Sequence, residues 1–538
     1  MEKKTIAFFL AVILGSALAA TGPAAGNSAA VDDWFRDAVF YEVFVRSFND
    51  SNGDGVGDLN GLTAKLDYLN DGDPATTTDL GVTALWLMPI SPSPSYHGYD
   101  VTDYYGVNPD YGTMADFQRL VAEAHKRGIH VIIDLVLNHT SNRHPWFIAA
   151  ADPASPKHDW YVWEKSLPPG WSQPWTSGSS SEYVWHVLRP GTYYYGLFYD
   201  GMPDLNYRNP AVQEEMIAVG KHWLNAGADG FRLDAVRYLF ESGPGAGQQD
   251  TPETHAYLAR FCQALKQTQP GCYLVGEIWT DMDTVATYLG SPRELDSAFN
   301  FDLAGAIVGG VKDKSFGYIG ATEEVTLETY PKDTADAVFL TNHDQDRIAS
   351  VVGPDPARLK LAASVLLTLP GTPYIYYGEE IGMPGVKPDE NIRKPMLWSD
   401  GENAGFSTAR PWNAPARVQP GINVKAEAAD ADSLLSHYRR LIRLRQEHIA
   451  LRRGGYQGLR LANKNIYGYL RSHERQTLLV LHNFSDQPQS GLALPADLQL
   501  AIARDITAGA PAAAIAPLAP FATGIYEVIA PPAVNAEK

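Results

Sequence analysis

Short apolar runs alternate along the chain with longer stretches in which apolar residues recur three and four positions apart. The runs are typical of buried strands and the stretches of amphipathic helices. Strand followed by helix, repeated, predicts a parallel sheet with helices outside it, and the number of repeats favours a (β/α)8 TIM barrel over an open sheet. The predicted strands are 39–48, 82–88, 129–137, 231–233, 273–275, 337–340 and 374–377, and the predicted helices are 113–127, 211–225, 252–267, 356–367 and 433–446.

Two regions depart from this rhythm. Residues 141–207 are rich in Trp, Tyr, Pro, Gly and Ser without helical periodicity, and so long an irregular segment is usually a lid or a small inserted domain. After the last helix, alternating strands predict a C-terminal antiparallel β-sandwich. The predicted parts are a flexible tail at 20–33, the catalytic barrel at 34–140 and 208–447, inserted domain B at 141–207 and the β-sandwich domain at 448–538.

The first residues have the three parts of a signal peptide. Lys3 and Lys4 form a basic start, 6–14 is a short apolar run, and 17–19 is a small-x-small cleavage site. A membrane anchor is the alternative, but the apolar run is shorter than the about 20 residues that cross a bilayer. We expect a signal peptide at 1–19 and a secreted or periplasmic protein that does not stay in the membrane.

The net charge of the chain limits the kinds of partner that it can bind. The 538 residues carry a formal net charge of −19, which argues against nucleic acid or an anionic membrane surface. A neutral substrate is indifferent to that charge. The two cysteines, Cys262 and Cys272, could close a small loop in an oxidising compartment or remain buried thiols. The sequence leaves the oligomeric state open.

Polar residues cluster where the predicted barrel strands end. The clusters are 134–140, 230–235, 276–279 and 341–344. A single acid after a strand is usually the N-cap of the next helix. Four clusters at the same end of successive strands are harder to explain as caps, and that end is where barrel enzymes place their active sites.

The residue types in these clusters suit the cleavage of a glycosidic bond. That reaction needs one carboxylate at the sugar carbon and one carboxylic acid that protonates the leaving oxygen, and Asp234 and Glu277 can supply both. Arg232 faces the same side of an extended strand as Asp234 and can hold it ionised. A nearby Asp344 would raise the proton affinity of Glu277. A retaining reaction predicts about 5–5.5 Å between the carboxyls of Asp234 and Glu277.

These clusters, in this order, resemble the α-amylase family of glycoside hydrolases from about Trp34 to beyond Trp398. The resemblance implies a nucleophile at Asp234, an acid/base at Glu277 and a third acid at Asp344 that binds and distorts the sugar. It implies the following substrate-binding positions around the cleaved bond: His97, Tyr99, Asp100, His139, Arg232 and His343.

Two further segments resemble subgroups of that family. Residues 202–206 are similar to a marker between the oligo-1,6-glucosidase and neopullulanase types. Residues 393–398 resemble a segment of exo-acting members, whose Arg, here Arg393, pairs with the Asp at Asp100 and blocks the non-reducing end of the glucan. This favours short substrates or exo attack, whereas the general resemblance favours an endo-acting amylase.

The segment 50–58 places oxygen-bearing residues at alternate positions, with Gly55 where a tight loop needs it. It resembles the start of an EF-hand loop but has Gly61 where the closing Glu would stand. The same loop binds Ca2+ in the glucosidases that the chain resembles, which implies a structural calcium. The implied ligands are Asp50, Asn52, Asp54, the carbonyl of Val56, and Asp58. A second calcium near Asn138 is not favoured, because Asn206 stands where some members carry an Asp ligand.

The leading hypothesis is retaining hydrolysis of α-1,4-glucosidic bonds in starch, glycogen or maltooligosaccharides. An exo-acting α-glucosidase or an α-glucosyl transferase with the same three acids is the nearest alternative. A barrel metalloenzyme could use the same acids and histidines as ligands, but Arg232 beside Asp234 would repel a cation. A non-catalytic sugar-binding relative should have lost at least one acid, and none is missing.

Overall fold

The computed structural model describes residues 33–175, 183–290, 293–332, 334–495, 498 and 500–529. The predicted signal peptide at 1–19 and the predicted tail at 20–33, apart from Asp33, lie outside the described residues. Among the described residues, no helix is both long enough and apolar enough to cross a membrane.

Eight parallel strands close into a barrel, which confirms the predicted fold class. Going round the barrel, each strand pairs with the next in chain order, and the last pairs with the first. Strands are numbered along the whole chain, so that β4–β6 belong to an insertion. The barrel strands are β1 (Phe40–Val43), β2 (Ala84–Leu87), β3 (His130–Val136), β7 (Gly230–Asp234), β8 (Tyr273–Gly276), β9 (Ser297–Phe299), β10 (Ala335–Phe339) and β11 (Thr372–Tyr376).

The helices surround the barrel and the loops at its rim. Several begin at the signals expected from sequence: Thr113 and Asp116 form a capping box, and Pro210 and Pro252 take the first helical position. The helices are α1 (Val45–Phe48), α2 (Leu59–Thr63), α3 (Leu66–Leu69), α4 (Met114–Lys126), α5 (Pro145–Ala150), α6 (Pro210–Asn225), α7 (Pro252–Thr268), α8 (Met282–Tyr288), α9 (Phe301–Asp313), α10 (Gly317–Thr329), α11 (Ile348–Val351), α12 (Pro356–Thr368), α13 (Asp389–Ile392), α14 (Val424–Ala428), α15 (Leu434–Glu447) and α16 (Ile449–Arg453).

Two details of the barrel differ from the sequence prediction. The apolar run 39–48 was predicted to be one strand, but only β1 is extended and α1 follows it within the same run. Strand β9 was not predicted, because only Ala298 and Phe299 are apolar there, between the polar Ser297 and Asn300, and two residues make no apolar run. It is nonetheless fully buried between β8 and β10.

A small antiparallel sheet lies between β3 and β7, which confirms an insertion after the third barrel strand. Its strands, in the order β4-β6-β5, surround a local core of Val184, Trp185, Tyr195 and Leu197. The strands are β4 (Trp163–Glu164), β5 (Trp185–Arg189) and β6 (Thr192–Tyr195).

The C-terminal region is antiparallel, as predicted, and its described strands form one six-stranded sheet. One face of the sheet packs against the barrel: the Tyr469 hydroxyl lies 2.6 Å from Oγ1 of Thr368 in α12, and Arg471 donates to the Thr368 carbonyl at 2.6 Å. The strands are β12 (Gly455–Leu459), β13 (Ile466–His473), β14 (Gln476–Asn483), β15 (Ala501–Asp505), β16 (Ala510–Pro511) and β17 (Thr523–Ile529).

The two cysteines lie beneath the barrel helices. Cys262, in α7, and Cys272, just before β8, are both buried and both free. Burial raises the pKa of the Cys262 thiol to about 11, so the thiol is protonated at neutral pH. Of the two possibilities that the sequence leaves open, the structure has the buried thiols.

Candidate active site

The polar clusters meet at one rim of the barrel. Asp234 is the last residue of β7, Glu277 directly follows β8, and Asp344 follows β10. Because parallel strands all point the same way, their carboxyl ends open on a single face. Asp134 lies further down, on β3, where it is in register with Arg232 of β7.

A single buried guanidinium connects three of these acids. Arg232 is 1% exposed, and its Nη1 donates to Asp234 Oδ1 at 2.6 Å and to Asp134 Oδ1 at 3.0 Å. Its Nη2 lies 2.9 Å from Oε2 of Glu277. The planar fork therefore spaces the carboxylates and offsets their mutual repulsion.

A second hydrogen-bonded chain carries Asp344. His343 is buried, with Nδ1 at 2.6 Å from Oε1 of Glu42 and Nε2 at 3.0 Å from Oδ2 of Asp344. The Tyr99 hydroxyl lies 2.6 Å from the same Nε2 and 3.2 Å from Oδ2 of Asp134. The two chains thus join through Tyr99 and Asp134 beneath the rim.

Arg393 does not form the predicted pair with Asp100. Its Nη2 donates instead to Asp344 Oδ1 at 2.8 Å and to Asp389 Oδ2 at 3.0 Å. Asp100 accepts hydrogen bonds from Ser93 and Ser95, the first at 2.6 Å. Both serines donate to Oδ1 of Asp100, and the segment that carries Arg393 packs over the loop after β10, where Arg393 Nε donates to the His343 carbonyl.

The remaining predicted binding residues lie around the same pocket. His139 is 1% exposed, and its Nε2 has no hydrogen-bond partner among the described residues. Burial lowers its pKa to about 4, which keeps the ring neutral. The ring of His97 lies parallel to that of Tyr99, with centroids 6.1 Å apart. An unpaired imidazole nitrogen beside aromatic rings suits a sugar hydroxyl.

The electrostatics separate the proton affinities of the acids. Burial raises the pKa of Glu277 to about 7, and the charges of Asp234 and Asp344 also raise it, whereas Arg232 lowers it. Burial would also raise the pKa of Asp344, but His343 and Arg393 hold it below its ordinary value. One acid is therefore poised to donate a proton while another stays ionised, which is the division that acid/base chemistry requires.

Two cavities meet at the acids. An inner cavity of about 290 Å³ is lined by His97, Tyr99, Asp234 and Arg393, among others. An outer cavity of about 610 Å³ is more aromatic and is bounded by Trp175, Tyr238 and Trp279, among others. Three side chains line both cavities: Phe198, Glu277 and Asp344.

The predicted calcium loop is folded by its own side chains. Asp50 Oδ1 accepts from the Gly53 amide at 2.7 Å and its Oδ2 from the Gly55 amide at 2.8 Å. Asp58 caps α2 by accepting from the Gly61 amide at 2.7 Å. Among the described residues, no three His, Cys, Asp or Glu side chains cluster together around a common metal position. In the loop, Asn52 and Asp54 are exposed, whereas Asp58 is buried.

Comparison with known proteins identifies the family. The family described as "Alpha amylase, catalytic domain" matches residues 42–454. The chain belongs to the α-amylase family. It is 42% identical over 461 residues to "Alpha-amylase 3" of Dictyoglomus thermophilum, covering 84% of this chain and 86% of that one. It is 37% identical over 517 residues to "Trehalose synthase/amylase TreS" of Mycolicibacterium smegmatis, with 85% of each covered.

Solved structures agree with the family. The crystal structure of an α-amylase from H. orenii superposes with a TM-score of 0.78 at 40% identity, over 91% of this chain and 99% of that one. As a member of the α-amylase family, the protein is a retaining enzyme of α-glucans. The family includes glycoside hydrolases and transglycosylases, so membership alone does not choose between them.

Two residues of the active site were not predicted from the sequence. Glu42 lies inside β1 among apolar neighbours and gave no motif signal, yet it contacts His343 across the barrel. Asp389 begins the short helix α13, which is not among the predicted elements, and it contacts Arg393. A charged residue within an otherwise apolar strand was the only signal that could have found Glu42.

Proposed function

We propose that the protein hydrolyses α-1,4-glucosidic bonds in starch, glycogen or maltooligosaccharides with retention of configuration, as an α-amylase. The observation that carries this proposal is the junction of the two cavities. Glu277 and Asp344 line both, and Asp234 lines the inner one. A glucan chain that occupied both cavities would therefore place one glycosidic bond between the carboxyls. The 42% identity to a protein named α-amylase supports hydrolysis.

In the first step Asp234 attacks the anomeric carbon, and the bond from that carbon to the glycosidic oxygen breaks. The leaving oxygen takes the proton of Glu277, and the sugar is left as an ester of Asp234. Arg232 donates to Oδ1 of Asp234 at 2.6 Å and so orients this carboxylate for the attack. In the second step Glu277, now a carboxylate, takes a proton from water, and the resulting hydroxide cleaves the ester with overall retention.

Asp344 is proposed to bind the hydroxyls of the sugar in the inner cavity and to stabilise positive charge as the bond breaks. His343 is fitted to assist it: burial lowers the pKa of this imidazole, but Asp344 and Glu42 together raise it to about 10. The ring is therefore protonated at neutral pH and holds Asp344 ionised. Tyr99, His97 and the unpaired nitrogen of His139 complete the contacts to the same sugar.

A second candidate function rests on the wall of the inner cavity. Arg393 and Asp389 both line it and are joined at 3.0 Å. A wall at this position would stop the non-reducing end of the glucan after a short distance, as in an exo-acting α-glucosidase. Glucosyl transfer with the same three acids, of the kind that the name of the trehalose synthase relative indicates, is the other alternative.

The experiment is the product profile from maltoheptaose, followed with time, with Asp234→Asn as the inactive control. Release of mixed maltooligosaccharides with the α-anomer first supports the proposed endo-acting amylase. Glucose as the sole early product would replace it with the exo-acting glucosidase. Products longer than maltoheptaose, or trehalose from maltose, would replace hydrolysis with transfer.

We also propose that the loop 50–58 binds a structural Ca2+ through Asp50, Asn52, Asp54, the Val56 carbonyl and Asp58. The donor set of carboxylate, amide and carbonyl oxygens fits a hard cation, although Asp50 and Asp58 also bind loop amides. Titration calorimetry of the chelator-treated protein should show Ca2+ binding that Asp54→Ala abolishes. A thermal midpoint unaffected by both chelation and Ca2+ would exclude the site.

Finally, we propose that the protein is exported and loses residues 1–19. The basic start, apolar run and small-x-small site support this. N-terminal sequencing of protein recovered outside the cytoplasm should begin at Ala20. Recovery of the full-length chain in the membrane fraction would indicate an uncleaved anchor.

A further inference from the structure

A groove on the outer surface of the barrel is unused by the proposed reaction. It lies between α9 and α10 beside the start of α8, and its cavity volume is about 860 Å³. Tyr318, which lines it, is 80% exposed, more than any other large apolar side chain of the described residues. Its ring is therefore accessible for stacking on a ligand.

The floor of the groove is helix backbone. Gly305 and Gly309 are one turn apart on α9 and both line the groove. A Cβ atom built on either would meet nothing within 4 Å, so packing within the chain does not require glycine there. Each glycine costs about 1 kcal/mol in a helix relative to alanine. Close approach of a ligand to the backbone is a reason to keep them.

The walls combine apolar surface with hydrogen-bond acceptors. Val325 and Ala321 line one side, and the groove carries four carboxylates, namely Asp281, Asp283, Asp302 and Asp313. None of its described lining residues is cationic. Acceptors beside an aromatic face suit the hydroxyls and apolar ring faces of a neutral sugar, whereas the carboxylates would repel nucleic acid, phosphate or an anionic membrane.

The groove begins beside the outer cavity of the active site. Trp279, which lines that cavity, is 52% exposed and stacks on Phe301 with centroids 4.4 Å apart and planes at 8°. Phe301 is the first residue of α9, and the next residue, Asp302, lines the groove. From Asp302 to Asp313 the helix rises about 16 Å, so the groove extends about that far along α9 from the residue next to Phe301.

We infer that this groove is a second α-glucan-binding site, which holds the part of a long substrate that leaves the active site past Trp279. The inference rests on the proposed function for the identity of the polymer. Tyr318 supplies a stacking surface at the far end, the two glycines admit the chain to the backbone, and the aspartates accept its hydroxyl hydrogens. Short oligosaccharides that fill only the two active-site cavities do not reach it.

The test compares binding of glycogen by inactive variants in native gels with and without the polymer. In an Asp234→Asn background, Tyr318→Ala should weaken retention by about tenfold, the loss typical of removing an aromatic residue from the centre of a binding surface. Gly309→Leu fills the groove and improves helix propensity, so its loss of retention cannot come from unfolding. Leu327→Ala is the matched control, because Leu327 is an exposed apolar residue of α10 that does not line the groove.

In the otherwise unchanged enzyme, Tyr318→Ala and Gly309→Leu should lower kcat/KM for glycogen and leave kcat/KM for maltotriose as it is. Glycogen retention equal to that of Leu327→Ala in both variants would overturn the inference. So would a change of oligomeric state in Tyr318→Ala with unaltered retention, since the groove would then bind a second copy of the chain. Turnover of maltotriose by the wild type tests the proposed function separately, and its absence would not alter the retention result.

Discussion

Glu42→Gln tests whether a charge buried inside β1 controls the acid at the rim. Glu42 is 2% exposed, and its Oε1 lies 2.6 Å from Nδ1 of His343. Glutamine keeps the size of the side chain and an acceptor oxygen but removes the negative charge. His343 would then hold its proton with Asp344 as its one anionic partner.

The magnitude follows from the pKa of His343. Burial lowers this pKa, but Asp344 and Glu42 raise it from 6.5 to about 10, and the difference corresponds to about 5 kcal/mol in favour of the imidazolium. If the two carboxylates share this effect, Glu42→Gln should cost about 2 kcal/mol. Because the pKa in the folded state is the higher one, the stabilisation is complete below pH 6.5 and is lost as the pH rises through about 10.

Two assays test this prediction. In denaturant unfolding, the variant should be about 2 kcal/mol less stable than the wild type at pH 6, and the difference should shrink as the pH approaches 10. In kinetics, the alkaline fall of kcat/KM should become steeper, because His343 then loses its proton within the range in which Glu277 titrates.

Glu379→Gln is the matched control. Glu379 is another buried glutamate at the rim, and burial raises its pKa to about 8. Because its pKa in the folded state is higher than the 4.5 of the unfolded chain, the wild type loses stability as the pH rises from 4.5 to about 8. Glutamine resembles the protonated acid and does not titrate, so the control should gain stability relative to the wild type over that range and keep a constant advantage above pH 8, the opposite sign to a lost imidazolium partner. If the loss of stability in Glu42→Gln were the same at pH 6 and at pH 10, the electrostatic account of His343 would be refuted.

Three further predictions concern the same site. Glu277 must be protonated to donate, and burial raises its pKa to about 7, so kcat/KM should fall above about pH 7. Glu277→Gln should abolish nearly all activity, and the residual rate should no longer fall at alkaline pH. An alkaline fall that persists in the residual rate would assign it to another group. Asp389→Asn removes the charged partner that holds Arg393 at 3.0 Å. It should raise KM for maltotriose by about tenfold and leave kcat little changed. An equal loss in kcat would mean that Arg393 acts on the transition state. Trp279→Ala removes the ring that is stacked on Phe301. It should raise KM for maltoheptaose by about tenfold and leave KM for maltose unchanged. Equal effects on both substrates would contradict a role of Trp279 in binding the substrate in the outer cavity.

The order of strands and helices could be predicted from the sequence because those signals are local. Apolar periodicity identified seven of the eight barrel strands, and the polar clusters after them identified Asp234, Glu277 and Asp344 as neighbours. The carboxyl ends of parallel strands must share one face, so no long-range information was needed. β9 was missed because its two apolar residues make no apolar run, and β1 was overextended because a buried helical turn is as apolar as a buried strand.

Contacts between loops and between distant parts of the chain were decided only by the tertiary structure. Glu42 and His343 are 301 positions apart, and the predicted partner of Arg393 was Asp100, whereas the folded loops present Asp344 and Asp389. The groove beside Tyr318 exists only because α9 and α10, which are separate helices, lie side by side with two glycines of α9 facing the groove. Sequence periodicity records which face of an element is buried, but the choice of a partner depends on how loops from different strands pack, and that packing is settled by the whole barrel.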